Sequence, residues 1–133
     1  MKQFKKLKIV ITAAVLICCF TISVEKTMSP VMTTEQKNDL VLLSWIDKVI
    51  EKESSHRNDL VILDVNNRYS YGCLQFQKAT FDGYSKKFGF NGEIMNCDDQ
   101  KKLALLMLKD SKSAWRNWYN TVTKKGVGLP PNA

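Results

Sequence analysis

Apolar positions along this chain fall into distinct patterns, and each predicts a different element. Residues 9–24 form an almost unbroken apolar run. From 38 to 54 the apolar residues Leu42, Leu43, Trp45, Ile46, Val49 and Ile50 recur at three- and four-residue spacings, with Ser44, Asp47, Lys48, Glu51 and Lys52 between them. That period predicts an amphipathic helix. Residues 60–65 are β-branched and aliphatic, and Asn66-Asn67 separates them from a second short run at 68–71. Asn tolerates the left-handed backbone of a tight turn, so a small hairpin is predicted, broken off by Gly72. Three more helices follow. One spans 78–88, ahead of a loop from Gly89 to Gly92. One is capped by Asp98 or Asp99 and runs to about Lys109, with Leu103, Leu105, Leu106 and Leu108 as its apolar side. One spans 113–124, carries Trp115, Trp118 and Tyr119, and is stopped by Gly126, Gly128 and Pro130-Pro131. The expected fold is a small, mainly helical α+β domain with one hairpin. Its roughly 100 residues suffice for one core.

The first 24 residues do not belong to that domain. Lys2, Lys5, Lys6 and Lys8 precede the apolar run, and Glu25 and Lys26 end it. A positive flank before an apolar stretch is the layout of a signal peptide or an N-terminal membrane anchor, and the pattern leaves cleavage versus anchoring open. Residues 25–37 are polar, contain Pro30, and read as a linker to a domain at 38–133. Export to the cell envelope, secreted or membrane-anchored, is the expectation. From Glu25 onward 16 Lys and Arg stand against 13 Asp and Glu, a net charge of +3. This mild balance suits anionic envelope polymers and ordinary soluble surfaces alike, and it is not the footprint of a nucleic-acid binder. Cys73 and Cys97 are the two cysteines outside the apolar segment. In an exported chain they either pair as a disulfide or remain two buried thiols. With the single His56 they make a poor metal set, and neither metal nor cofactor is expected.

Glu53 is the position that breaks the helix pattern. It follows Ile50 by three residues, Val49 by four and Ile46 by seven, so it extends the apolar stripe, whereas Glu51 falls on the wet side with Asp47 and Ser44. A carboxyl group at the end of a buried face is partly desolvated, which disfavours its charged form. A carboxylic acid still protonated near neutral pH is the group that glycosidic cleavage requires, because the leaving oxygen must receive a proton. The plainer alternative is a glutamate frayed into solvent at the last helical turn.

Glu53-Ser54-Ser55 is followed by Gly72-Cys73-Leu74-Gln75-Phe76-Gln77, then by Asn96-Cys97-Asp98-Asp99-Gln100 and by Tyr119-Asn120. In order and spacing these resemble the motifs of the lysozyme-like soluble lytic transglycosylases: Glu-Ser ending a helix, a Gly-x-x-Gln element after a short β segment, an Asn-Pro-Glu segment opening a helix, and a Tyr-Asn pair. The resemblance covers roughly residues 40–131. It implies that Glu53 protonates the bond between N-acetylmuramic acid and N-acetylglucosamine, then takes the muramyl 6-hydroxyl proton to give a 1,6-anhydro product. It implies that Gln75 contacts the sugar or holds Glu53, that Gly72 lets backbone approach the glycan, and that the Tyr119 hydroxyl orients Glu53. The chain departs from the family in the longer gap between Glu53 and Gly72, which the hairpin fills. It departs again in Cys73, where an apolar residue is usual, and in Cys97, where Pro is usual. A Cys73–Cys97 bridge would clip the hairpin's exit to the next long helix.

Asp64 is a second carboxylate to follow, since lysozymes place one on β structure across the cleft. Its alternative role is to satisfy the Asn66-Asn67 turn. Tyr69, Tyr71, Trp115 and Trp118 either line a sugar groove or fill the core, and His56, Arg57 and Arg68 read as surface residues. The expected partners are peptidoglycan strands and, for the N-terminal segment, a membrane. A monomer is expected. The competing readings are a lysozyme-type hydrolase and a peptidoglycan-binding module that does not cleave.

Overall fold

The computed structural model describes residues 31–131 and 133; the expected signal or anchor and the first part of the expected linker lie outside the described residues. Helix α1 spans Thr34–Ser54. A three-stranded antiparallel sheet follows, β1 Val61–Leu63, β2 Tyr69–Tyr71 and β3 Phe76–Gln77, in that spatial order. Helix α2 is Lys78–Phe88, α3 is Cys97–Asp110, a 3-10 helix covers Ala114–Trp118, and α4 is Tyr119–Lys124. The domain is mainly helical with one small sheet, as the patterning predicts. Among the described residues no helix is long and apolar enough to cross a membrane.

Three boundaries differ from expectation, the first two for local reasons. Residues 34–37, assigned to the linker, are the first turn of α1. Thr33 accepts from the Gln36 N–H at 3.1 Å while the Gln36 side chain accepts from the Thr33 N–H at 2.8 Å. This reciprocal capping box satisfies two donors that a helix start otherwise leaves open. At α3 the cap is Asn96, not Asp98 or Asp99: its side-chain oxygen accepts from both of their N–H groups, at 3.0 and 3.2 Å. The two aspartates instead occupy the first turn, where the helix dipole favours anions. The Asp99 carboxylate also accepts the Glu93 N–H at 3.1 Å, which holds its pKa below the ordinary carboxylate value. Finally, the expected single helix at 113–124 is broken into the 3-10 helix and α4 at Trp118.

The core sits where α1 crosses α3 and the C-terminal helices. Ile46, Val49 and Ile50 of α1 are at most 1% exposed, as are Leu103, Met107 and Leu108 of α3. Burying each such side chain contributes roughly 1.5–3 kcal/mol. Leu106, expected on the apolar side of α3, is exposed, and Ala104 takes the inward position. Trp118 is the centre of an edge-on aromatic set, 6.3 Å from Trp45 and 5.5 Å from Phe76. Both indole N–H groups find carbonyls: Trp118 donates to Leu74 and Trp45 to Gly128, each at 2.9 Å. The second bond ties the C-terminal tail back to α1.

Cys73 and Cys97 form a disulfide with Cα atoms 5.6 Å apart. It joins the turn after β2 to the start of α3 across a separation of 24 residues, the clip anticipated from the sequence. Closing a loop of that size contributes about 3 kcal/mol in the chain-entropy treatment. The Cys73→Ala/Cys97→Ala variant is therefore expected to unfold about 3 kcal/mol more easily in denaturant. A reductant should narrow the gap by destabilising the parent alone.

Candidate functional site

A cleft of about 680 Å³ opens between the hairpin and the C-terminal helices. Of the candidate site residues, Glu53, Asp64, Gln75, Tyr119 and Trp118 line it. Gly72 and Tyr71 do not.

Glu53 reaches the cleft because α1 carries it there on its buried stripe. The helix ends one residue later, at Ser54, itself 5% exposed. Ser55 and His56 then adopt left-handed conformations, φ 51° and 63°, and turn the chain away towards the sheet. Each such residue costs about 1–2 kcal/mol, which the surrounding packing must offset. The Glu53 side chain retains 17% exposure. One oxygen accepts a hydrogen bond from the Thr121 hydroxyl, and the other lies 3.6 Å from Lys125 Nζ. Lys125 is held in turn by the Lys52 carbonyl at 3.0 Å. Glu51, by contrast, is exposed and pairs with His56 at 3.0 Å. The two glutamates thus have the different environments expected of them.

The hydroxyl on Glu53 belongs to Thr121, not to Tyr119. Tyr119 is 54% exposed and stacks on Trp115 with ring centroids 6.0 Å apart. Thr121 lies two residues further along α4 and is 1% exposed. Nothing in the sequence marked it, because a threonine in a helix is usually just a turn-face residue. Lys125 was equally silent, and both partners come from a segment about 70 residues from Glu53.

Asp64 is held by the sheet. It follows β1, and its backbone closes the hairpin: its N–H donates to the Arg68 carbonyl at 2.8 Å, and its own carbonyl accepts from Asn67 N–H at 2.9 Å. The turn's side-chain bond comes from Asn66, whose oxygen accepts the Arg68 N–H at 3.1 Å. The Asp64 carboxylate is therefore free of the turn. It accepts from the Ser70 hydroxyl and, at 2.9 Å, from Gln77 Nε2, both on Oδ2. Ser70 and Gln77 are direct cross-strand partners on β2 and β3. Asp64 Oδ1 carries no protein hydrogen bond among the described residues. The strand β3, too short to leave a periodic signal, is what supplies Gln77.

Gln75 sits in a tight turn. Its φ is 53°, and its side chain folds back to donate to the Gly72 carbonyl at 2.6 Å. It lines the cleft without bonding Glu53. Gly72 is buried with φ 70°, and a Cβ there would stand 2.3 Å from Gln100 Nε2. That contact and the positive φ both call for glycine at this position. Tyr71 is paired with Val61 and Phe76 in the sheet, and its ring is tilted against Tyr69. Trp118 is buried in the core and also borders the cleft, whereas Trp115 is partly exposed and does not line it. Among the described residues no group of three or more His, Cys, Asp or Glu is placed to hold a metal ion.

Comparison of the chain with protein-family models, with curated proteins and with solved structures found no match.

Gly72→Ala is expected to lower stability by about 2–4 kcal/mol, the sum of a disfavoured backbone and a displaced Gln100. Thermal unfolding monitored by circular dichroism reads this directly. Gln75→Ala, which removes only a local bond at the cleft, should cost under about 1.5 kcal/mol.

Proposed function

We propose that this protein is a peptidoglycan-cleaving glycosidase, exported to the cell envelope, in which Glu53 is the acid/base of a lytic transglycosylase reaction. The observation that carries the proposal is the setting of Glu53: a mostly buried carboxyl, fixed by the Thr121 hydroxyl and facing a cleft of about 680 Å³. In this reading Glu53 delivers its proton to the glycosidic oxygen. Lys125 stands beside the carboxylate that remains, and that carboxylate then accepts the proton of the muramyl 6-hydroxyl. The resemblance of its short motifs to those of lysozyme-like transglycosylases supports the same reading. Such chemistry needs one positioned carboxyl group and a bound sugar.

A second reading, hydrolysis by water, is favoured by one specific observation. Asp64 lines the same cleft, is fixed through one oxygen by Ser70 and Gln77, and keeps the other oxygen open. A held carboxylate with a free oxygen is suited to activating water in a two-carboxylate mechanism.

Mass spectrometry of peptidoglycan digested by the purified protein decides between them. Anhydro-muropeptides are expected from the parent. Glu53→Gln should reduce the rate by at least about a hundredfold, and Asp64→Asn should leave most of it. Reducing-end products, abolished by Asp64→Asn, would replace the transglycosylase reading with the hydrolytic one. No product from folded parent protein would sink both.

Thr121→Val keeps the shape of the side chain and removes the hydroxyl. It is expected to lower kcat about tenfold with KM little changed, because it loosens Glu53 without touching sugar-binding groups.

A further inference from the structure

One wall of the cleft carries chemistry that the acid/base reading leaves unused. Between Ser111 and Ala133 the chain has no Asp or Glu, but it has Lys112, Arg116, Lys124 and Lys125. Two of these cations, Arg116 and Lys125, line the cleft. Lys125 is engaged by Glu53 and by the Lys52 carbonyl. Arg116 has no carboxylate within ion-pair distance among the described residues. Arg57, by contrast, is committed to Asp59 through two hydrogen bonds at 3.2 and 3.1 Å.

Arg116 is also placed beside an aromatic ledge. Its guanidinium lies 5.9 Å from the Trp115 ring centroid, and that ring stacks on Tyr119 at an interplanar angle of 19°. Tyr119 lines the cleft and is 54% exposed, so its ring is not used up by the core. A flat exposed ring matches the C–H face of a pyranose. A planar guanidinium with free donors matches a carboxylate, which it can hold through two parallel hydrogen bonds.

We infer that Tyr119 and Arg116 form a subsite for an acidic sugar, with the ring carrying a pyranose and the guanidinium taking a carboxylate attached to it. This rests on the reading that the cleft binds glycan, and it narrows the ligand to glycans that bear carboxylates. In peptidoglycan the carboxylate has two possible sources. It is the lactyl group of a muramic acid that has lost its peptide, or it belongs to the peptide still attached.

The test is binding, read without cleavage. The full chain carrying Glu53→Gln is titrated with peptide-free glycan strands, with peptide-bearing strands, and with neutral chitooligosaccharide of matched length, with and without Arg116→Gln. The expected result is roughly tenfold weaker binding of carboxylated strands on Arg116→Gln, with the neutral oligosaccharide unaffected. Added salt should reproduce that selectivity, and Arg116→Lys should restore part of the loss. Weakening confined to peptide-free strands assigns the lactyl carboxylate; weakening confined to peptide-bearing strands assigns the peptide. Tyr119→Ala should weaken all three ligands alike. Equal loss on neutral and charged ligands, or no loss on either, overturns the subsite while leaving cleavage by the Glu53 parent intact. Failure to bind any of the three overturns the subsite together with the glycan reading.

Discussion

The structure hangs on the side-chain amide of Gln100. This residue is fully buried, and its carboxamide is spent on three backbone groups: Nε2 donates to the carbonyls of Tyr71 and Ile94, and Oε1 accepts the Leu74 N–H at 2.7 Å. Leaving any of these groups unpaired in the interior costs about 1–3 kcal/mol. The amide therefore pins the end of β2, the turn after it and the approach to α3 to one point. Gly72 is the concession that lets it come so close. The Cys73–Cys97 bridge fastens the same turn covalently. Leu74, bonded by Gln100 through its N–H, offers its carbonyl to the Trp118 indole. The sheet side and the C-terminal side of the cleft are thus referred to a single polar centre.

This arrangement explains why the cleft can hold two carboxylates in fixed positions with little regular structure around them. The strands are two or three residues long, and β1 is exposed at all three positions. Such strands contribute little on their own. Their rigidity comes from side chains reaching across: Ser70 and Gln77 to Asp64, Thr121 to Glu53, Gln100 to the turn. Side-chain hydrogen bonds of this kind fix geometry that a small apolar core cannot.

Much of the fold was legible in the sequence, and the parts that were not have identifiable reasons. The stripe that buries Ile46, Val49 and Ile50 also aims Glu53, and a 3.6-residue period is enough to see both. The α2 limits at residues 78 and 88 follow from the Gly and polar residues around them. The early start of α1 was readable too, since Thr33-x-x-Gln36 is a capping-box sequence; the polar composition nearby obscured it. The break at Trp118 was not readable. There the indole donates to the carbonyl of Leu74, a partner 44 residues away that no local pattern indicates. The candidate site divides in the same way. Glu53 stands out as a carboxyl on an apolar stripe and Asp64 through the lysozyme resemblance, whereas Thr121, Lys125, Ser70 and Gln77 acquire meaning only when the tertiary fold brings them to those carboxylates. At Gly72 the fold adds a cause that the sequence does not show, the close approach of Gln100, because a glycine that admits a neighbouring side chain and one that admits a ligand look alike in sequence.

The partners of Glu53 have a further consequence for how the protein is made. Thr121 is 68 residues and Lys125 is 72 residues downstream of it. A nascent chain emerges from its N-terminus, so α1, the hairpin, the Gln100 centre and α3 can all be laid down while Glu53 still lacks its hydroxyl and its cation. The scaffold precedes the site in time as well as in space. A molecule interrupted before residue 119 would keep most of the buried apolar surface and none of the groups that hold the carboxyl in place.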